Sequence, residues 1–568
     1  MTVRRAAGTV SLAIDGKVDA SNAGDMLTQK LLAHAPLLMH GSPRTVGIIG
    51  LGSGVTLGSA LRHPIERADV IEISPEVVQA SAFFAKENGG ALDDRRTRLI
   101  LGDARAHLSL GRDRYDVIIS EPSNPWMAGV ASLFTREFFE MLRVRLEPGG
   151  VLCQWAHTYD ISEADLRSIA ATFLSVFPEG MLWLVGDGDV LLIAGDGPPG
   201  ELLARISTAW QRPGVAADLA TVGVRSPFAL LSQFVASGPA LRDLAAGATV
   251  QTDDRMALEF SAPREIYGAA RADNAARLRE LADRAPAPAV VAQARTSATA
   301  NDWKLRGLMF LQAEAQRVAY GDLTRAASLD PGDRETLEAL ERAAAGAGRI
   351  DDAVALLTQL SADPAGRVSA RVAAARLLAS AGRVQDALNM VAQALAVAPD
   401  DPGALAQQAS VFADVGDLER LEPAVRRLQT VAPNGAETSY YGATLALMSQ
   451  RAEEAIRLAE RAVAVDPRHA RAHNLLGAAL ASLGKVDAAR RAFQTSIELN
   501  PKDATPHINL GSLELLNAAN ASAAVGHFSE ALALDPDSAT ARRGLVRALE
   551  ATGNHARAAR LRAGAPDA

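Results

Sequence analysis

Thr45-Val46-Gly47-Ile48-Ile49-Gly50-Leu51-Gly52-Ser53-Gly54 is the stretch that decides the fold. An apolar, β-type run feeds directly into a G-x-G-x-G turn, and a second apolar run ends at Glu72, twenty-two residues after Gly50. That layout builds a nucleoside crevice at the carboxyl end of a parallel sheet. The glycines let the backbone turn sharply and approach a ligand, and the acid accepts hydrogen bonds from ribose hydroxyls. The plainer alternative is a glycine turn that only packs a helix on a strand.

Working outward, strands and helices alternate from Pro43 to about Ala194, which implies a parallel, doubly wound sheet. Strands are expected at 45–50, 69–73, 98–101, 116–120, 150–155, 181–185 and 189–194, with helices near 54–62, 75–88, 132–145 and 162–177. Upstream, residues 9–14 alternate and end at Asp15-Gly16, a hairpin signal. Asp25 then opens a helical pattern through Met26, Leu27, Leu31 and Leu32. Downstream, helical stretches near 200–210 and 227–245 read as a tail of the same domain, and Ala285-Pro286-Ala287-Pro288 marks an extended spacer.

The rest of the chain repeats. Prolines that close an Ala/Leu-rich run fall at Pro331, Pro364, Pro399, Pro433, Pro467, Pro501 and Pro536, spaced 33 to 35 residues apart. Such a period marks stacked helix–turn–helix units. Within one unit Leu476-Gly477 lies in the first helix, Gly484 in the turn, Ala489 and Phe493 in the second helix, and Pro501 at the end. This pattern resembles the tetratricopeptide repeat family over residues 298–568, about seven units forming an all-α superhelix. The resemblance implies a groove that takes a peptide or partner protein; a scaffold or a homodimer contact is the alternative. The expected organisation is an N-terminal β-hairpin and helix (1–42), a Rossmann-like nucleoside-binding domain (43–195), its tail (196–270), a linker (271–297) and the repeats (298–568).

The 568 residues are too many for a single core. A net charge of −8 argues against a general nucleic-acid grip, which needs a basic surface. Cys153 is the only cysteine, so no intramolecular disulfide and no cysteine-cluster metal site can form, and scattered histidines imply no metal. No window reaches eighteen uninterrupted apolar residues and no signal-peptide core follows Arg4-Arg5, so no membrane span and a cytoplasmic location are expected.

Residues suited to chemistry lie where strands end. Gly102-Asp103-Ala104 follows the third expected strand; Asp103 would accept from an adenine amine while a backbone N–H meets the ring, or it would simply cap the next helix. Glu121 closes the fourth, in Ser120-Glu121-Pro122-Ser123-Asn124-Pro125-Trp126, and is the candidate base. Trp126, Trp155 and Tyr159 would wall the pocket or serve as core and rim aromatics.

Together these features make residues 9–195 resemble the spermidine synthase family of aminopropyltransferases, which shares the fold of S-adenosylmethionine methyltransferases. The resemblance rests on Asp15-Gly16, Leu31-Leu32-Ala33-His34, the 50–54 loop, Glu72, Gly102-Asp103, Tyr115-Asp116-Val117-Ile118-Ile119, Leu133-Phe134-Thr135-Arg136-Glu137-Phe138-Phe139 and Leu146-Glu147-Pro148-Gly149-Gly150-Val151. It implies decarboxylated S-adenosylmethionine as donor, a small amine as acceptor and no metal. The nucleoside would lie on Gly50, Gly52, Ser53, Gly54, Glu72, Asp103 and Ala104, with Glu121 as base. Aligned on Pro125, the family's two loop aspartates fall on Glu121 and Asn124, and the aspartate of its glycine loop falls on Ser53. Its glutamine after the hairpin falls on Asp19, its Asp-Glu pair on Gly24-Asp25, and its tyrosine-histidine pair on Thr28-Gln29. Acceptor contacts are therefore expected from Asp19, Asp25, Gln29, Asn124 and Trp126. These departures leave open a changed acceptor amine, a methyl donor that keeps its carboxylate (the Ser-Asn-Pro-Trp loop is also similar to the Asn-Pro-Pro-aromatic loop of amine N-methyltransferases), and a non-catalytic nucleoside-binding module.

Overall fold

Alternation in residues 9–14 is that of a half-buried strand, and Leu12 goes fully inside. Thr2–Ala6 (β1), Thr9–Ile14 (β2) and Lys17–Ser21 (β3) form a three-stranded sheet in that order, with β2 and β3 antiparallel. The computed structural model describes the chain except residues 7–8, 15–16, 124–126, 128, 187, 266–272, 365, 517–519 and 564–568. The expected Asp15-Gly16 turn and the site residues Asn124 and Trp126 lie outside the described residues.

Helix α1 (Met26–His40) follows and is buried along almost its whole length. A helix buried all round must satisfy its polar side chains internally. Lys30 donates to Asp218 (2.6 Å), and His34 bridges Asp218 and His63, each at 2.9 Å.

The main sheet has Thr45–Ile49 (β4), Arg67–Glu72 (β5), Thr97–Leu101 (β6), Tyr115–Ser120 (β7), Leu146–His157 (β8), Met181–Val185 (β9), Asp189–Gly195 (β10) and Phe234–Ser237 (β11). Their order is β11-β9-β10-β8-β7-β4-β5-β6. β6, β5, β4, β7 and β8 run parallel; the apolar runs of β4, β5, β7 and β8 are covered, while the edge strand β6 leaves Leu99 and Leu101 exposed. β10, β9 and β11 do not run parallel: each pairs antiparallel with its neighbour. The expectation of a wholly parallel sheet is corrected there. Only residues 186–188 join β9 to β10, enough for a hairpin and far too few for a crossover.

A second difference lies in 227–245, expected as helix. Two helices, Pro227–Leu231 and Gly238–Ala245, flank β11, whose Phe234, Val235 and Ala236 are buried. Pro239, in the first turn of the second helix, starts it without losing an intrahelical hydrogen bond. The strand order reverses around β4, between β5 and β7, and that reversal opens a crevice at the carboxyl ends of β4, β5 and β7.

Contacts divide the chain into two compact units, whose main parts are Thr9–Asp330 and Arg349–Ala568. The second is built of paired helices from Ile350–Leu360 to His555–Arg562. Its helices approach closely through small residues: a Cβ on Gly477 would stand 2.6 Å from the buried ring of Phe493, and one on Gly511 3.1 Å from Phe528. Among the described residues no helix is long and apolar enough to cross a membrane.

Candidate active site

The end of β4 meets the end of β7 without a side chain between them. Gly50 takes φ +93°, and a Cβ there would collide with the backbone carbonyl oxygen of Glu121. Gly50 N donates to Ile71 O and Glu121 N donates to Ile49 O, both at 2.9 Å, which fixes the glycine turn and the candidate base in one frame. Glu72 is held just as tightly. Its carboxylate accepts from Leu51 N (2.9 Å) and Ser74 N (2.8 Å) while still lining the crevice. Asp103 caps the helix Ala104–Leu110 through Ala106 N (2.7 Å), so the capping role is real, and the residue also faces the cavity.

These strand ends open on a cavity of about 730 Å³. Of the residues expected from sequence, Asp19, Asp25, Gln29, Gly50, Gly52, Glu72, Asp103, Ala104 and Glu121 line it. Trp155 and Tyr159 form part of its wall. Ser53 and Gly54 do not line it. Ser53 is buried beneath the turn, its hydroxyl donating to Gln29 Oε1, and Gly54 begins the helix Val55–Ala60 against Asn88. Gln29 in turn donates from Nε2 to Asp25 Oδ2 (3.0 Å) and Ser21 O (2.9 Å), so its amide orients Asp25.

Asp189 is the functional candidate that sequence reasoning missed. It lies in Gly186-Asp187-Gly188-Asp189, where an aspartate reads as a turn former. The β8–β10 register carries it inward beside Trp155, whose Nε1 donates to it at 3.1 Å, and Thr28 Oγ1 donates at 2.5 Å. Thr28 and Ser123, whose hydroxyl donates to Asp19 (2.7 Å), add to the polar lining.

The carboxyl groups of Asp19, Asp25, Glu121 and Asp189 thus gather in one part of a cavity that other acids also line, and the electrostatics follow from that. Burial pushes Glu121 up to about 8, with the negative fields of Asp19, Asp25 and Asp189 adding to it against the pull of the Thr56 hydroxyl. Glu121 Oε2 is enclosed with no hydrogen-bond partner among the described residues. Burial likewise lifts Asp189 to about 6, although Thr28 and Trp155 hydrogen-bond to it, and raises Asp19 and Asp25. Among the described residues no lysine or arginine lines the cavity. Such a space attracts a cation and offers it a proton acceptor. Among the described residues no group of histidine, cysteine and acid side chains is arranged to hold a metal ion.

Residues 25–185 match the spermine/spermidine synthase domain, and residues 344–411, 442–504 and 511–567 match the tetratricopeptide repeat. The chain is 31% identical over 152 residues to a spermidine synthase of Dictyostelium discoideum, covering 26% of this chain and 53% of that protein. It is 34% identical over 175 residues to polyamine aminopropyltransferase 2 of Pseudomonas aeruginosa (30% and 49%). Similarity to putrescine N-methyltransferase 2 of Nicotiana tabacum is also 34%, over 168 residues (29% and 47%). The chain spans about half the length of these relatives. The protein therefore carries a spermine/spermidine synthase domain followed by tetratricopeptide repeats.

Proposed function

We propose that this protein is an aminopropyltransferase-like enzyme that moves an aminopropyl group from decarboxylated S-adenosylmethionine to an amine. Its catalytic region would comprise residues 43–195 with the tail 196–270, and its repeats would bind a peptide or protein partner. The observation that carries the reading is Glu121: a buried acid with an unpartnered oxygen, beside the glycine turn, in a cavity with no basic side chain among the described residues.

The chemistry runs as follows. An alkylamine is mostly protonated at pH 7, with a pKa of about 10. It enters as an ammonium, which the acids attract, and its charge draws Glu121 back toward the carboxylate form. Glu121 takes the proton, and the freed nitrogen lone pair attacks the methylene beside the sulfonium. The C–S bond breaks, its electrons stay on sulfur, and methylthioadenosine leaves. Glu72 would hold the ribose hydroxyls and Asp103 the adenine amine, while Asp19, Asp25 and Asp189 would hold ammonium groups. The test is to incubate the full chain with decarboxylated S-adenosylmethionine and a panel of amines, and to follow methylthioadenosine by mass spectrometry. No methylthioadenosine with any amine would overturn the reading.

Ser53 favours one second reading, an amine methyltransferase. The spermidine synthase-like pattern has an aspartate there for the donor's aminopropyl amine; with serine, a donor that keeps its carboxylate meets no like charge at that point. The tobacco relative's name belongs to that class. Calorimetry with both donors separates the two, since binding of the carboxylated donor alone would favour methyl transfer.

A further inference from the structure

The 34-residue period runs through the turn that joins the two helices of each pair. At that position Gly348, Gly382, Gly416 and Gly484 take left-handed backbone, with φ between 66° and 74°. Glu314 stands 34 residues before Gly348, at the same point of the unit and with φ 60°. Gln450, also at 60°, is the other non-glycine residue in the series among the described residues. A side chain in this conformation costs about 1 kcal/mol relative to glycine. Retention of a strained residue is a reason to look for what it touches.

Glu314 is the tip of the hairpin formed by Ala300–Gln312 and Gln316–Leu329, and that hairpin packs within the first compact unit. Gln312 Nε2 donates to Thr221 O at 2.6 Å, and a Cβ on Gly223 would stand 2.8 Å from the Met309 backbone. Phe228 meets Trp303 edge to face at 5.1 Å, burying both rings. These contacts bring the tip to the cavity. Glu314 is one of its lining residues, with Cβ and Cγ 3.8 Å from where a Gly24 Cβ would stand, next to Asp25. Its own side chain is exposed, whereas Asp25 and Glu121 sit deeper.

We propose that Glu314 is an acceptor-specificity residue, whose carboxylate holds a second cationic nitrogen at the end of the acceptor remote from the reacting amine. The first hairpin of the repeat array then reads the far end of the acceptor. The assignment rests on the amine-acceptor reading above. It accounts for a carboxylate at the turn that borders the cavity, at a position where Gly348, Gly382, Gly416 and Gly484 stand in other units.

Calorimetry tests it on the full chain saturated with methylthioadenosine, titrated with 1,4-diaminobutane and with butylamine. Wild type, Glu314→Gln and Glu314→Gly are compared. Both variants should lose about five- to tenfold in diamine affinity and at most about twofold in butylamine affinity. Glu314→Gly, free of the backbone strain, should melt at or above the wild-type temperature, which separates lost recognition from lost folding. Equal losses for the two amines, or an unchanged diamine affinity, overturn the assignment of Glu314 alone. A wild-type chain that binds neither amine overturns the amine-acceptor reading and this inference with it.

Discussion

Replacing Glu121 by glutamine should make the protein more stable and less active, and the stability gain should grow with pH. Burial holds the Glu121 carboxyl at about 8, against 4.5 for an unperturbed glutamate. Well below 4.5 it is protonated in folded and unfolded chains alike and costs nothing. As pH rises past 4.5 the unfolded chain releases the proton while the folded chain keeps it, so stability falls until the pH passes about 8. The full gap is worth at most about 5 kcal/mol; with some solvent reaching the cavity we expect about 2–3 kcal/mol. Glutamine keeps the shape and removes this cost. All five tryptophans (Trp126, Trp155, Trp183, Trp210 and Trp303) precede residue 331, so fluorescence-detected urea unfolding reads the first unit. At pH 5 the two proteins should agree within about 0.5 kcal/mol, and at pH 9 the variant should lead by about 2 kcal/mol. Methylthioadenosine production should fall by about 100-fold or more. A variant less stable than wild type at pH 9, or a difference independent of pH, would refute the argument that Glu121 is an uncompensated buried acid.

Three further outcomes follow from the same packing and charge arguments. Since Asp189 ionises near 6, wild-type amine affinity should rise between pH 5 and 7; Asp189→Asn should lose that rise and weaken binding about tenfold at pH 7, and a flat wild-type profile in calorimetry would count against its role. Asp218 is pushed up by burial, but hydrogen bonds from His34 and Lys30 prevail and hold it well below the usual carboxylate range. Asp218→Ala strands the buried Lys30 ammonium and should cost about 3–5 kcal/mol in urea unfolding, part of which Lys30→Met paired with Asp218→Leu should restore. In the repeats, Gly477→Ala pushes a methyl into the Phe493 ring and should destabilise the array by about 1–3 kcal/mol, read from helical circular dichroism; a neutral result would mean the ring yields freely.

What sequence made legible was local. The glycine turn, Glu72 and Asp103 each lie at or just past the end of a strand, so their place at the crevice comes with the strand–turn unit itself. The repeat period needs only proline and glycine spacing. The antiparallel edge was harder, because the apolar runs at Met181–Val185 and Asp189–Gly195 read alike in either direction and only their short connection betrays a hairpin. Asp189 and Glu314 were invisible for a related reason. Asp189 opens a strand directly after a turn and Glu314 sits in one, where acids are ordinary, and only packing against elements more than thirty residues away in sequence aims them at the cavity. Ser53 erred the other way: its motif pointed to the ligand, while its hydroxyl serves Gln29 under the turn.

The embrace of the hairpin by the first unit bears on how the molecule can be dissected. The repeat period places a seam near residue 298, and a fragment trimmed there would bare Phe228, leave Gly223 facing solvent and strip Glu314 from the cavity rim. A fragment continued to Asp330 retains all three. Exchange of the array for another by recombination at the apparent seam would accordingly alter the surface of the first unit itself, because the sequence seam and the edge of that unit do not coincide.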